Sequence, residues 1–445
     1  RYFSICEDKI AQQLFCIDFK YLVIISNIYI IGRHQNQQVG LKLEAAECRG
    51  MRLKAFALIM VCAALMIGSA FAQGTDVPGD SDGDRIVSAE ELAAAEKLAQ
   101  EGELSADDLQ EIKHIHEKYP INITDSANRT VTIYKPVKRM IIQVTTGYLP
   151  AFILNAKDKI VAVTAEAQHD YLWIPGMEDK PTVGGYKELD LEKIISSKPD
   201  IILTSKDRPD LREKLEPANI TVIALKFAET GKFEQEFRCL SKLLEKEERA
   251  EEFILWRNSK INKIKEQTYH INPKIKVLLG SGGAPNEPWH CNTVGSGIHD
   301  AVTMAGGFNL ASEIPGFYSV TVDPEWVLER DPEAIIIMSW GLDEEPGGLT
   351  GYEINNPDAA KQYIETVLNK EVLGNTSAVK NKCVYVIDGP LMLGSSTSYL
   401  GAFYCAKWFY PELFKDMNPE VIHKEFIEGW VGATYKGIWT YPLAS

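Results

Sequence analysis

Hydrophobic and polar positions change rhythm along the chain, and one rhythm occurs twice. From Asp190 to Ser205, DLEKIISSKPDIILTS places Leu191, Ile194 and Ile195 on one helical face. Lys198 precedes Pro199, where sterics push the backbone out of the helical region, so the helix stops there. Ile201, Ile202 and Leu203 follow as a short continuous apolar run, the pattern of a parallel strand covered on both faces. The phrase returns as DPEWVLERDPEAIIIMS from Asp323, ungapped: Asp190 aligns with Asp323, Glu192 with Glu325, Pro199 with Pro332 and Asp200 with Glu333. One repetition at domain-sized spacing predicts two similar α/β lobes rather than a solenoid.

The stretches around the repeats extend the picture. ITDSANRTVTIYKPVKRMIIQ, from Ile123, alternates like a hairpin entering a sheet. AFILNA is helical, KIVAVTAE is a strand, and LREKLEPANITVIAL adds another helix and strand, which together make an N-terminal α/β lobe over 120–228. Residues 229–270 form an interlobe segment. Phe233, Phe237, Leu240 and Leu244, then Phe253, Ile254, Ile261 and Ile264, recur at helical spacing, and the run from Lys232 to Thr268 contains no Pro. That predicts one long helix, too polar to span a bilayer. The C-terminal lobe, 271–445, opens on PKIKVLLGSGG, passes a loop at Trp289-His290, and includes the helix before Gly306-Gly307 and the second copy of the repeat. A flexible GLDEEPGGLTGYEINN insertion follows, with KCVYVID as its last strand and an aromatic helical tail from Tyr399 to Gly432.

The N-terminal third reads differently. Met51 opens a basic n-region (Arg52, Lys54), an apolar stretch and Ala70-Phe71-Ala72, a small-x-small cleavage site. Residues 1–50 read as an upstream extension and 51–72 as a signal peptide cleaved near Ala72, so that the mature chain works outside the cytoplasmic membrane. The alternative is a genuine N-terminal segment with an internal transmembrane helix. Residues 73–119 form a small helical acidic module, with 13 acids and 4 bases. In DSDGDRIVSAEE, Asp80, Asp82 and Asp84 take positions 1, 3 and 5 of an EF-hand-type loop, Ile86 offers its carbonyl at 7, Ser88 stands at 9 and Glu91 at 12. That is the oxygen set a hard Ca²⁺ ion takes. Arg85 stands where the sharp turn normally uses Gly. The loop resembles those of EF-hands and dockerins, and a single copy favours a calcium-stabilised spacer over a docking module.

Charge and cysteine usage exclude several classes. A formal net charge of −15 argues against nucleic acid, which needs a basic stripe. The eight Cys show no zinc-type spacing. No G-x-G-x-x-G, GK[ST], nucleophile elbow, HExxH or paired-acid constellation is present, so neither a nucleotide site nor an enzyme is expected. Loops at the C-terminal ends of parallel strands supply ligand contacts in open α/β sheets. By that rule the cleft candidates are Tyr148, His169, Trp173 and Tyr186 on the first lobe. On the second lobe they are Trp289, His290, Tyr318 and Trp340, with Tyr399.

Taken together, DSANRTVTIYKPVKRMI, LNAKDKIVAVT, VGGYKELDLEKIISSKPDIIL, MAGGFNLAS, PEWVLERDPEAIIIMS and AKWFYPELFKDMNPEVIH resemble the class III periplasmic binding proteins. These are substrate-binding subunits of ABC importers for iron–siderophore complexes, haem and cobalamin. The resemblance runs from about 121 to 435. It implies two Rossmann-like lobes joined by a long interlobe helix, a metal chelate held between them, no catalysis, and a monomer that docks on permease subunits. One acid per lobe would dock: Glu325 on the second lobe, and Glu192 or Asp210 on the first. Few Arg flank the candidate aromatics, which favours a neutral or zwitterionic chelate over a triply anionic catecholate. A free transition-metal ion is the alternative cargo; it would need His residues to converge, and here they are scattered.

Overall fold

The structure, a computed structural model, describes residues 77–171, 174–282, 288–340, 348–369, 373–394 and 396–442. The chain divides into two units, 1–74 and 75–445. The expected upstream extension, 1–50, and the expected signal peptide, 51–72, lie outside the described residues. Everything below concerns the second unit.

Two helices open it. α1 (Ala89–Gln100) starts at a capping box, in which the Ser88 hydroxyl accepts from the Glu91 N–H and the Glu91 carboxylate accepts from the Ser88 N–H. α2 (Ala106–Lys118) is capped by Ser105. Their apolar faces, including Ala95, Ile112 and Ile115, and Val87 just ahead of α1, bury in the same core as Tyr119 and Ile123. A hairpin follows, β1 (Ile121–Thr124) against β2 (Thr130–Ile133).

The first lobe is then built as β3 (Met140–Ile142), α3 (Tyr148–Ile153), β4 (Ile160–Val163), α4 (Ala165–Asp170), α5 (Leu191–Ser196), β5 (Ile201–Thr204), α6 (Pro209–Leu215) and β6 (Thr221–Ala224). Its sheet is parallel, in the order β4-β3-β5-β6. Successive residues enter opposite cores. Met140, Ile142, Ile201 and Leu203 join the main core, while Ile141 and Ile202 join a second one beneath the sheet. Burial on both faces is why these strands are apolar throughout rather than alternating.

The interlobe helix is two helices. α7 (Phe233–Leu244) ends at Glu245, which adopts φ 56, and α8 (Glu247–Thr268) runs on for 22 residues, roughly 33 Å at 1.5 Å per residue. The break corrects the expectation of one continuous helix. It falls where Glu245 accepts hydrogen bonds from Tyr119 (3.0 Å) and pairs with His114 (2.5 Å), both from the N-terminal helical region. No Pro marks this break; the partners that hold it are more than a hundred residues away.

The second lobe carries a mixed sheet of β7 (Ile275–Gly282), β8 (Trp289–Asn292), β9 (Gly307–Asn309), β10 (Ser319–Val322), β11 (Ala334–Ser339), β12 (Val384–Asp388) and β13 (Thr440–Tyr441). The order is β10-β8-β7-β11-β12-β13, with β9 beside β7. Its helices are α9 (Gly297–Met304), α10 (Pro324–Arg330), α11 (Asp358–Leu368), α12 (Ser377–Lys380), α13 (Gly389–Leu393), α14 (Ser398–Phe409) and α15 (Pro419–Glu425), and the last continues into a π-helical turn, Phe426–Val431. Two expectations are corrected here. Trp289-His290 lies in a strand antiparallel to β7, not in a loop. β12 is not the last strand, because β13 pairs antiparallel to it. Both missed strands are four residues or fewer, too short for a period-2 pattern to stand out.

The repeated phrase folds the same way in both lobes. Lys198 (φ 45) and Asp331 (φ 48) occupy equivalent positions, and each turns left-handed just before its proline. The following acid fastens the strand to its parallel neighbour. An Asp200 carboxylate oxygen accepts from the N–H groups of Lys138 and Arg139 ahead of β3, and Glu333 accepts from the Lys276 N–H at the start of β7. The two copies lie in different sheets, β5 in the first and β11 in the second. Asp200→Ala removes two hydrogen bonds to a charged carboxylate, so we expect urea denaturation to register a loss of about 1–3 kcal/mol; an unchanged midpoint would deny the acid this role.

Candidate functional site

The C-terminal ends of the strands in both lobes face a shared seam, with a cavity of about 260 Å³ at one part of it. From the first lobe, Leu149 of α3 and Asp170-Tyr171 at the end of α4 reach it. From the second come Trp340, which follows β11, and Asp388, which ends β12. The segment 348–354 contributes Thr350, Tyr352 and Glu353, and the tail contributes His423, Phe426 and Trp439. Elsewhere along the seam, the Lys226 ammonium lies 5.6 Å from the Phe317 ring centroid, which bridges the lobes. Tyr186 hydrogen-bonds Ser205 (3.0 Å), and its backbone N–H is held by Glu166. Burial raises the Tyr318 phenol above its ordinary range, and the nearby Tyr186 adds to the rise across the seam.

The charged groups in the cavity are set by burial. Desolvation pushes the Asp388 carboxyl up to about 7, although the Leu391 N–H it caps works the other way, and the Asp170 charge from the facing lobe raises it further. Burial drives His423 down to about 3, so it is neutral, with its Nδ1 3.2 Å from the Tyr404 hydroxyl. Thr350 is buried, and its Oγ1 has no hydrogen-bond partner among the described residues. Away from the cavity lining, the buried Arg257 guanidinium of α8 stacks 4.8 Å from Phe233 and 5.5 Å from Tyr399.

The aromatic candidates divide. Trp340 lines the cavity, and Tyr186 and Tyr318 stand at the seam. Two expectations are corrected: Tyr148 is fully buried, with its hydroxyl donating to the Ile142 carbonyl, and Trp289 is packed in the second-lobe core beneath the sheet. In both cases the packing of the sheet face decides, and a ring next to a strand end satisfies the core as readily as the cleft. Tyr399 is a further correction: it too is fully buried and off the cavity lining, against Arg257. His290 is exposed and hydrogen-bonds Thr321 (3.2 Å). Trp173 and the His169 side chain lie outside the described residues. Reading the sequence missed Asp388, Thr350, Tyr352, Trp439 and Tyr171. Asp388 was within reach of the strand-end rule. The insertion at 348–354, expected to be a flexible loop, supplies part of the cavity wall.

Among the proposed docking acids, Glu192 and Glu325 are exposed in the first turns of the equivalent helices α5 and α10. Asp210 is held in two hydrogen bonds by Arg208 (2.9 and 2.7 Å), which bring its carboxyl down to about 2. In the acidic loop, Asp80, Asp82 and Asp84 bring carboxylate oxygens within 4.8 Å of one another. Glu91 instead accepts from the amides of Ser88 (2.9 Å), Ser81 (2.5 Å) and Asp82 (3.2 Å), and its bonds from Ser88 and Ser81 bring its carboxyl down to about 2. Arg85 takes φ 68, the left-handed turn for which Gly is usual. Three carboxylates therefore suit a hard cation as they stand, and the fourth would have to leave the loop amides to join them.

Two α/β lobes, a rod between them and a cavity at their facing strand ends define a two-lobed solute-binding protein. Residues 142–391 match the model of the periplasmic binding protein family, and the chain belongs to it. An ABC transporter substrate-binding lipoprotein of Bacillus subtilis, YvrC, is 22% identical over 73% of this chain and 96% of its own length. The molybdate-binding protein MolA of Haemophilus influenzae is 22% identical over 71% and 92%. Among solved structures, a TroA-like periplasmic binding protein, FepB, from Veillonella parvula superposes with a TM-score of 0.61 at 25% identity, covering 73% of this chain and all of that one. CeuE of Helicobacter pylori, solved with Ni(II) bound, gives 0.56 at 18% identity, over 71% of this chain and 97% of its own. Proteins of this family bind solutes for ABC transporters and hand them to permease subunits; they are not enzymes. Among the described residues no helix is long and apolar enough to cross a membrane.

Proposed function

We propose that the chain is the extracytoplasmic receptor of an importer for a metal chelate, which it captures between its lobes. A ferric hydroxamate siderophore suits the site best, with a corrinoid or haem as larger variants. The supporting observation is the make-up of the cavity: aromatic rings and three carboxylates, with no Lys or Arg lining it among the described residues. A bare oxyanion such as molybdate would meet like charge there. The volume of about 260 Å³ falls just below the roughly 300–1,000 Å³ of small-molecule sites, so the lobes would part further for a ferric hydroxamate and further still for a corrinoid. Delivery would use Glu325 and, on the first lobe, Glu192 rather than Asp210, whose charge Arg208 already offsets. Contacts of this kind are steered and salt-sensitive.

The test is tryptophan-fluorescence titration of a chain beginning at Gln73 with ferric hydroxamates, cobalamin, haem, molybdate and free divalent metals. Saturation by a chelate is expected. Saturation by free metal or molybdate alone would overturn the reading.

For the acidic loop we propose a Ca²⁺ site that stiffens the N-terminal helices, supported by the convergence of Asp80, Asp82 and Asp84. Calorimetry should register Ca²⁺ binding that Asp82→Ala weakens at least about tenfold. Identical traces would remove calcium from the account.

A further inference from the structure

The cavity is more specific than a slot for a chelate. Its walls combine π-surface with negative charge: Tyr171, Trp340, Tyr352 and Trp439 around Asp388, with Asp170 on the opposite lobe. Hydrophobic bulk alone would not need the buried acid Asp388, and a carboxylate in an apolar pocket is costly without a cation to meet it. The rim holds a precedent. The Lys436 ammonium sits 4.4 Å from the Tyr352 ring centroid and 3.1 Å from both carboxylate oxygens of Glu353, a cation held by ring and acid together.

We propose that this cavity is a cage for an alkylammonium group, so that the cargo presents a positively charged amine to Trp340, Tyr352, Trp439 and Asp388. The inference rests on the cleft reading above and narrows its cargo to a chelate with a cationic arm. Rings attract a cation through their quadrupoles, most strongly where water is excluded. Thr350, buried on the same wall, offers its hydroxyl to a polar atom beside the charge.

Protonation gives an independent readout. The titratable groups sharing the cavity with Asp388 are Asp170, Glu353, Tyr171, Tyr352 and His423, with the Lys436 ammonium at the rim against Tyr352 and Glu353, and burial keeps His423 neutral. A bound cation favours the Asp388 carboxylate, so the loaded protein carries fewer protons than the empty one near pH 7. Cation affinity therefore rises as pH climbs through that range, by at most about tenfold per unit.

The test compares choline with 3,3-dimethylbutan-1-ol, its uncharged isostere, by tryptophan fluorescence on the whole chain. Choline is expected to bind about tenfold tighter or better. Asp388→Asn keeps an acceptor for the Leu391 N–H and nearly the same shape; it should remove most of that preference, flatten the pH dependence and leave the alcohol unaffected. Equal binding of the two probes, or no response to choline, overturns the cage. The same comparison with a ferric trihydroxamate bearing a pendant amine and its N-acetylated form separates the two claims. If both forms bind equally, the cage falls and the chelate receptor stands. If neither binds while choline does, the cage stands and the chelate receptor falls.

Discussion

Trp340→Ala should cost roughly 30-fold or more in cargo affinity, the scale of about 2–4 kcal/mol lost when a central aromatic anchor is truncated. The ring is not a loose flap. A Cβ built on Gly389 would lie 2.8 Å from it, so the backbone at the start of α13 supports the indole directly. Gly389→Ala therefore offers a subtler variant: it pushes the ring off its seat without deleting it, and an intermediate loss is expected. The three atoms nearest the added Cβ all belong to Trp340, so the two variants separate ring position from ring presence. Titration of both against the same chelate checks this; wild-type affinity in Trp340→Ala would remove the residue from the site.

The second large effect is on stability. Phe253 of α8 is fully buried where the rod meets the C-terminal tail. It packs on Phe233 and Phe237 of α7, at 6.2 and 5.5 Å between centroids, and on Trp430 of the tail at 5.1 Å. Phe253→Ala leaves a cavity that this ring cluster cannot close by shifting one neighbour, so a loss of about 3–5 kcal/mol is expected in urea denaturation. Leu255, two residues on and 71% exposed, is the control; its replacement by alanine should fall within about 0.5 kcal/mol. A similar loss at both positions would mean that the rod is not fastened through this cluster.

Much of the fold was legible because its cause is local. The proline corners after Lys198 and Asp331, the acids Asp200 and Glu333, and the apolar strands β5 and β11 each follow from a short phrase. What stayed hidden depends on partners far along the chain. The turn at Glu245 is held by His114 and Tyr119. Tyr148 and Trp289 look like cleft aromatics until the sheets decide which face they occupy. Asp388 and Tyr352 come from separate segments that meet only when the second lobe is complete, and no spacing between them announces a common wall. The N-terminal helices read as an appendage, yet their apolar faces close the first-lobe core.

Anomalous diffraction at the metal edge, from crystals of the protein grown with a ferric hydroxamate, measures where the cargo sits. The account predicts a single strong peak between the lobes, beside Trp340 and Asp388. A peak confined to the lobe exteriors or to the Asp80–Asp84 loop, with the seam empty, would contradict it.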